Sequence, residues 1–285
     1  MTTLYGKALA GATVVPMLRK VPVLGSALGA GARQLPDRTL ERSDVEVDRH
    51  HLAEYDRVCG FRLRDELPPT YPHILAFPLA MELMTETSFP FPVIGLVHVA
   101  NRIEVVRPLR ADERFSVRVW AGDLADHPRG TQFEIHAEAG SGADVAWRSS
   151  SVYLHRGENS SNNERTSEAS PPLSGGTAVW NVPGDIGRRY AAVSGDRNPI
   201  HLHPLAARLF GMKSNIAHGM WTKARCLAAL EGELPEAYTV EVRFKLPIFL
   251  PSKVTFSTDT RRFEVRAAKD GKPHLEGQVA QKTVQ

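Results

Sequence analysis

Residues 190–201 read YAAVSGDRNPIH, and this short stretch is the most informative in the 285-residue chain. Residues 195–199 of this stretch concentrate Gly, Asp, Asn and Pro, the residue types that favour turns. Pro199 moves the residue before it away from helical backbone angles, and Gly195 lets the chain bend tightly beside Asp196. The carboxylate of Asp196 and the imidazole of His201 can therefore converge at this turn.

Two other interpretations of these side chains stay open on residue types alone. Asp196 and Asn198 are residue types that cap backbone amides in turns, and His201 would then pack beneath the turn. A metal site is the second interpretation, because His201, His203 and His218 supply three imidazoles. The spacing matches no zinc motif, and a proline directly after His203 favours a helix start over a ligand. We therefore predict that the site holds no metal.

A polar stretch on the N-terminal side of this turn divides the chain into two halves. Residues 156–176 are dominated by Ser, Asn, Glu, Gly and Pro, a composition that cannot bury enough apolar surface to offset the entropy of ordering. We predict an N-terminal extension over residues 1–35, a first domain over 36–155, a linker over 156–178 and a second domain over 179–285.

The two halves resemble each other weakly. Residues 55–60 read YDRVCG and residues 190–195 read YAAVSG, with Tyr, Val and Gly in the same places. Residues 103–109, IEVVRPL, parallel residues 242–248, VRFKLPI, since each is an apolar-rich segment that ends at a proline. Matches in the same order along both halves indicate an internal duplication.

Each half follows one plan, with helical segments first and strands after them. Apolar residues at helical intervals predict helices within residues 79–84 and 221–230. Segments rich in β-branched and aromatic residues predict strands over residues 103–106, 115–120, 133–137, 145–154, 238–246, 254–258 and 263–267. The expected fold class is α+β, a helix packed on an antiparallel sheet, repeated once.

Bulk composition excludes several classes of protein. Hydrophobic residues make up 42% of the chain and charged residues 24%, as in ordinary globular domains. The net charge is only +3, without a long basic run, so no nucleic-acid partner is expected. The two cysteines show no metal or redox spacing, no apolar run is long enough for a membrane helix, and Pro16 interrupts the apolar stretch 8–18. We predict a cytoplasmic protein.

The stretch at residues 190–201 resembles the signature of the MaoC-like, (R)-specific enoyl-thioester hydratases and 3-hydroxyacyl-thioester dehydratases, and it meets every motif position. Residues 206–211 and 216–220 also look like that family, so the specific resemblance spans 190–230. The chain as a whole is similar to the double-hotdog dehydratases of fatty-acid metabolism. This implies two repeats, each an antiparallel sheet wrapped around a long central helix.

The resemblance also implies a reaction and roles for individual residues. Asp196 and His201 would be the acid and base that hold one water molecule, Asn198 would orient them, and the backbone N–H of Gly219 would polarise the thioester carbonyl. The reaction would be reversible hydration of trans-2-enoyl thioesters to (R)-3-hydroxyacyl thioesters, carried on CoA or acyl carrier protein, without a metal or redox cofactor. On residue type alone, Gly219 fits close helix packing equally well, and His218 is expected to be structural.

The first half departs from the motif. Phe61 stands where the second half has Asp196, and no Asn-Pro-x-His follows it. We therefore expect the first half to be catalytically silent and to wall a tunnel for the acyl chain, although ordinary core packing is the commoner fate of apolar residues. The candidates for that wall are Leu79, Met81, Leu83, Met84 and Phe89.

Other expectations concern the substrate carrier, the assembly and rival functions. Arg189, Arg243 and Lys245 are candidates for contacting a phosphate of the carrier, although surface charges are usually only solvated. The assembly is expected to be a monomeric pseudo-dimer or a homodimer. An acyl-thioesterase is the nearest rival enzyme, because fold alone does not fix chemistry, and a non-catalytic acyl-thioester-binding subunit is the rival outside enzymes.

Overall fold

The computed structural model describes residues 34–157, 171–173, 176–259 and 261–281. Ten strands and six helices cover these residues. The strands are β1 Thr39–Val45, β2 Val97–Val105, β3 Phe115–His127, β4 Gly130–Ser141, β5 Asp144–Arg156, β6 Gly176–Val182, β7 Tyr238–Phe244, β8 Ser252–Thr258, β9 Arg262–Ala267 and β10 Pro273–Gln281. The helices are α1 Arg49–Cys59, α2 Tyr71–Met84, α3 Ile186–Ser194, α4 Pro199–Leu202, α5 Pro204–Leu209 and α6 Gly219–Ala229.

The strands form one antiparallel sheet with the order β1-β3-β4-β5-β2-β7-β10-β9-β8-β6. The second five strands repeat the order of the first five in reverse, which is the pattern of two copies related by a two-fold axis between β2 and β7. At that junction the register runs from Ala100 opposite Arg243 to Val105 opposite Tyr238. The predicted α+β double hotdog is confirmed, and the two sheets are continuous.

A long helix of each half lies against this sheet. In the first half α2 buries residues around most of its circumference, including Ile74, Ala80 and Leu83. In the second half α6 buries Trp221, Ala224 and Leu227, among others, in the same way. Both helices are enclosed rather than amphipathic, as expected for the centre of a wrapped sheet. Both helices predicted from sequence exist, and α2 begins at Tyr71, well before residue 79.

The helices α1 and α3 occupy equivalent places in the two halves. Each ends at a glycine with a left-handed backbone, with φ of 85° at Gly60 and 74° at Gly195. A residue with a Cβ is strained in that conformation. The sequence match between residues 55–60 and 190–195 therefore reflects one repeated structural device, a helix that stops abruptly before Phe61 or Asp196.

A fully buried lysine joins the two halves. Lys223 of α6 is 0% exposed, and its Nζ donates to Oδ1 of Asn101 at 2.5 Å and to the backbone carbonyls of Asn101 and Val240 at 3.3 Å. Asn101 lies on β2 and Val240 on β7. Burial lowers the pKa of Lys223 well below its usual value. Because an unsatisfied polar group is costly in such a place, this network fixes α6 over the junction of the two half-sheets.

The predicted boundaries fall near the ends of elements. β5 runs to Arg156, where the linker was predicted to begin. β6 starts at Gly176, two residues before residue 178, where the linker was predicted to end. The extension over residues 1–35 lies outside the described residues except for its last two positions. Among the described residues, no helix is both long and apolar enough to cross a lipid bilayer.

Candidate functional site

Asp196 lies at the first bend after α3. The N–H of Gly195 donates to the carbonyl of Ala191, which ends the helix, and the N–H of Asp196 donates to Oγ of Ser194 at 3.2 Å. Oδ1 of Asp196 accepts from the N–H of Asn198 at 3.2 Å. The carboxylate is thus held by its own turn, and its side chain keeps 28% of its surface exposed.

Asn198 turns the chain back towards Asp196. Its Oδ1 accepts from the N–H of Ile200 at 3.3 Å, so Asn198 caps the short helix α4, and Pro199 occupies the first helical position. Proline suits that position because its missing N–H would lack a partner there in any case. The cap predicted as an alternative is therefore present, and it brings His201 back to the side of Asp196.

His201 has a defined tautomer and is 9% exposed. Its Nδ1 lies 2.9 Å from the backbone carbonyl of Ile216. A carbonyl can only accept, so Nδ1 carries the proton and Nε2 is the free basic nitrogen. Burial lowers the pKa of His201, while the nearby Asp196 carboxylate and the Ile216 carbonyl oppose that shift. The imidazole is therefore neutral near pH 7.

His218 stacks on His201, with ring centroids 3.6 Å apart and planes 25° from parallel. Its Nε2 donates to the backbone carbonyl of Asp196 at 3.1 Å and lies 3.7 Å from the carboxylate oxygen Oδ2. Burial lowers the pKa of His218 well below its usual value, and His201 lowers it further. This supports a mainly structural role, because His218 fixes the backbone of Asp196 and the plane of His201.

The three side chains converge. One ligand atom from each of Asp196, His201 and His218 lies within 4.8 Å of the others. The three imidazoles of the alternative metal site do not come together, because His203 is exposed and its Nδ1 accepts from the N–H of Leu205 as the cap of α5. The absence of a metal stays a prediction.

Gly219 opens helix α6, directly after His218. The first N–H groups of a helix have no acceptor within it, so this end offers donors and a favourable dipole to a developing negative charge. A Cβ built on Gly219 would lie 2.9 Å from Cε1 of Phe244, which explains the glycine by close packing. The two interpretations of Gly219 are compatible, since packing concerns the missing side chain and the oxyanion role concerns the backbone N–H.

The four residues predicted for catalysis line one cavity of about 510 Å³, namely Asp196, Asn198, His201 and Gly219. Both halves of the chain contribute to its wall. The first half supplies Phe77, Met81, Met84, the segment 93–98, Tyr153 and Arg156. Of the five predicted tunnel residues, Met81 and Met84 lie on this wall, whereas Leu79, Leu83 and Phe89 do not. Leu83 and Phe89 pack in the core instead.

Of the three residues predicted to contact a phosphate of the carrier, one lines the cavity and two do not. Lys245 lines the cavity, and its Nζ pairs with Glu276 at 3.0 Å. Arg189 on α3 and Arg243 on β7 are exposed and lie outside the cavity wall. Sequence reasoning missed Arg156, which lines the cavity from the end of β5. The only signal for it in the sequence was a basic residue at the border between a strand and a polar linker.

Comparisons with known proteins place this site in a family. The model of the MaoC like domain matches residues 165–282. The 3-hydroxyacyl-thioester dehydratase X of Mycobacterium tuberculosis is 39% identical over 221 residues, which cover 77% of this chain and 79% of that protein. The chain belongs to the MaoC-like dehydratase family. A crystal structure of the same relative, HtdX, shares 36% identity, covers 86% of this chain and 100% of that one, and has a TM-score of 0.75.

One further relative and one further solved structure resemble the chain. The (R)-specific enoyl-CoA hydratase of Aeromonas caviae is 33% identical over 88 residues, 30% of this chain and 62% of that protein. Another M. tuberculosis protein, described as having a double hotdog fold, covers 86% of this chain and 96% of its own at 11% identity, with a TM-score of 0.55. This last likeness concerns the fold alone.

Proposed function

We propose that this MaoC-like protein catalyses the reversible hydration of trans-2-enoyl thioesters to (R)-3-hydroxyacyl thioesters in fatty-acid metabolism. One observation carries the proposal: a carboxylate and a neutral imidazole with a free Nε2 meet in an apolar-walled cavity beside a helix N-terminus. The named activities of the two relatives with at least 33% identity are a dehydration and a hydration of this type.

The residues fit a balanced reaction that needs only water. Nε2 of His201 takes one proton from a water molecule whose oxygen attacks C3 of the enoyl group, while Asp196 accepts a hydrogen bond from the same water. The N–H of Gly219 stabilises the charge that develops on the thioester oxygen. The proton then passes from His201 to C2. Positioned proton transfer contributes about 10² to 10⁴ in rate and one oxyanion donor roughly 10² to 10³.

No cofactor is needed in this proposal, and CoA or acyl carrier protein serves only as the carrier of the substrate. We also propose a monomeric pseudo-dimer, because the β2–β7 pairing that joins two hotdog units occurs here within one chain. A cytoplasmic location is supported by Cys59 and Cys226, which are both buried and unpaired.

The test is incubation of the purified full-length chain with trans-2-enoyl-CoA. We expect loss of the conjugated enoyl thioester and formation of the (R)-3-hydroxyacyl thioester, resolved by chiral chromatography. Release of free thiol instead would identify a thioesterase, and binding without turnover would identify a non-catalytic subunit.

Substitution of the pair tests its role. Asp196→Asn and His201→Ala should each lower kcat by about 10² to 10⁴ because each removes one partner of the proton transfer. His203→Ala is the matched control, since that imidazole is exposed and only caps α5. Circular dichroism establishes that the variants fold, and wild-type kcat in either of the first two would refute the assignment.

A further inference from the structure

Exposed apolar side chains protrude from the short helix α5. Leu205 is 62% exposed, Leu209 79% and the adjoining Phe210 44%. Leu205 and Leu209 are four positions apart, so they share one face of the helix. We call these three residues the apolar ridge. Contiguous exposed apolar residues on a soluble protein commonly mark a site of interaction.

Basic residues lie close to the two ends of α5 and have no carboxylate partner among the described residues. Arg188 of α3 donates to the carbonyl of Leu202, just before α5, and Arg208 donates to the carbonyl of Lys213. Residues 197–230 contain no Asp or Glu. We call Arg188, Arg208 and Lys213 the basic rim.

Elsewhere on the surface, several exposed arginines are neutralised by carboxylates. Arg114, for example, bridges Asp44 at 2.7 Å and Glu46 at 2.9 Å. The basic rim therefore keeps a positive potential that paired arginines lack, and such a potential attracts negatively charged partners.

The apolar ridge and basic rim stand beside the cavity of the candidate site. Phe210 and Met212 belong to its wall, together with Asp196 and His201. The silent half has no equivalent feature, because no helix lies between α1 and α2 where the second half carries α4 and α5. The feature therefore accompanies the catalytic residues and is not a general property of the fold.

We propose that the apolar ridge and basic rim form the docking surface for an acidic acyl carrier protein, which delivers its substrate into the adjacent cavity. This inference rests on the function proposed above. A second copy of the chain would bring two basic rims together, and like charges oppose such contact. A free nucleotide would engage the arginines but would leave Leu205 and Leu209 exposed to water. A protein with acidic and apolar side chains on one helix matches both parts of the surface.

The experiment compares one enoyl group on two carriers. We measure kcat/KM of the full-length protein with trans-2-octenoyl acyl carrier protein and with trans-2-octenoyl-CoA. Arg208→Glu, Lys213→Glu and Leu209→Ser should each lower kcat/KM for the carrier-protein substrate about fivefold or more, because they remove charge complementarity or apolar contact. The same variants should keep the value for the CoA substrate within about twofold. None of these three side chains lines the cavity.

Arg42→Glu is the matched control, because Arg42 is exposed on β1 at the far edge of the sheet. It should leave both substrates unaffected. Higher salt should weaken the reaction with the carrier-protein substrate in the wild type and should do so less in Lys213→Glu. Equal losses on both carriers, or no loss with the carrier protein, would overturn the proposal.

Two binding measurements separate this inference from the proposed function and from a membrane surface. Calorimetry with holo acyl carrier protein needs no turnover, so it reports docking even if neither thioester reacts. Sedimentation with vesicles of phosphatidylcholine and phosphatidylglycerol tests the other partner class. Vesicle binding that Leu209→Ser abolishes, together with no measurable affinity for the carrier protein, would assign the surface to a lipid bilayer and refute docking.

Discussion

At the scale of single residues, the site depends on imidazoles that are kept neutral. His201 and His218 are buried and stack at 3.6 Å, and two charged rings at that distance would repel strongly in a poorly solvated place. The hydrogen bond from Nδ1 of His201 to Ile216 directs its unprotonated nitrogen away from the backbone. A base that stays unprotonated at neutral pH suits the removal of a proton from water.

The first prediction concerns the pH dependence of His201. Its pKa in the folded protein lies below 6.5, so the ring stays neutral as the pH falls past that value. The acidic limb of kcat/KM should therefore lie below pH 6.5. Asp196 raises the pKa of His201, so Asp196→Asn should lower it further. Titration of the imidazole resonances by NMR checks both statements, and a His201 pKa above 6.5 in the wild type would contradict the first.

The motif residues could be predicted because their spacing is local. Asp196, Asn198 and His201 belong to one turn, and a single cap and a single proline determine how it folds. Arg189 and Arg243 were beyond such reasoning, because the direction in which an exposed arginine points depends on distant strands and helices. Arg156 reaches the cavity only because β5 and the second half are brought together by long-range pairing.

At the scale of elements, close packing holds the start of α6, where the proposed oxyanion donor lies. Gly219 lets the ring of Phe244 on β7 approach the first turn of the helix, and Lys223 anchors the next turn to β2 and β7. The N–H donors at the helix start are therefore held in position by the sheet. Preorganised donors of this kind stabilise charge without reorganising during the reaction.

The second prediction tests the packing interpretation of Gly219. Gly219→Ala keeps the N–H but places a Cβ against Phe244, so it should lower kcat by displacing the helix start. Phe244→Leu should have a smaller effect by itself and should restore part of the activity of Gly219→Ala. Steady-state kinetics on the single and double variants provide the test. An additive loss in the double variant would show that Phe244 is not the obstacle.

Repeated elements could be predicted from sequence where both halves require the same residue type for the same backbone conformation. Both half-chains keep the glycine that ends α1 or α3, and the matching strings revealed it. The helices α4 and α5 have no such partner in the first half. Their short length gives too few apolar positions for a helical period to be visible. The sequence therefore indicated only the start of α5, through the proline after His203, and did not predict α4.

At the scale of the whole molecule, one sheet links the half that lacks the motif to the half that carries it. Residue patterns predicted two similar halves, but they do not reveal which strand of one half pairs with which strand of the other. The sequences of β2 and β7 look like those of ordinary buried strands. Their pairing makes the first half part of the cavity wall through Met81, Met84 and Tyr153. The half without the motif thereby forms part of the wall of the cavity that holds the motif residues.

The final prediction tests that boundary. Met84 is buried on α2 of the first half and lines the cavity, so the bulkier ring of Met84→Trp should shorten the space for an acyl chain. We expect kcat/KM for dodecenoyl-CoA to fall about tenfold or more relative to crotonyl-CoA, since crotonyl does not reach beyond the catalytic pair. Leu79→Trp on the same helix is the control, because Leu79 lies outside the cavity wall. An unchanged ratio between the two substrates in Met84→Trp would mean that the acyl chain does not run along α2, and the wall formed by the first half would then serve stability alone.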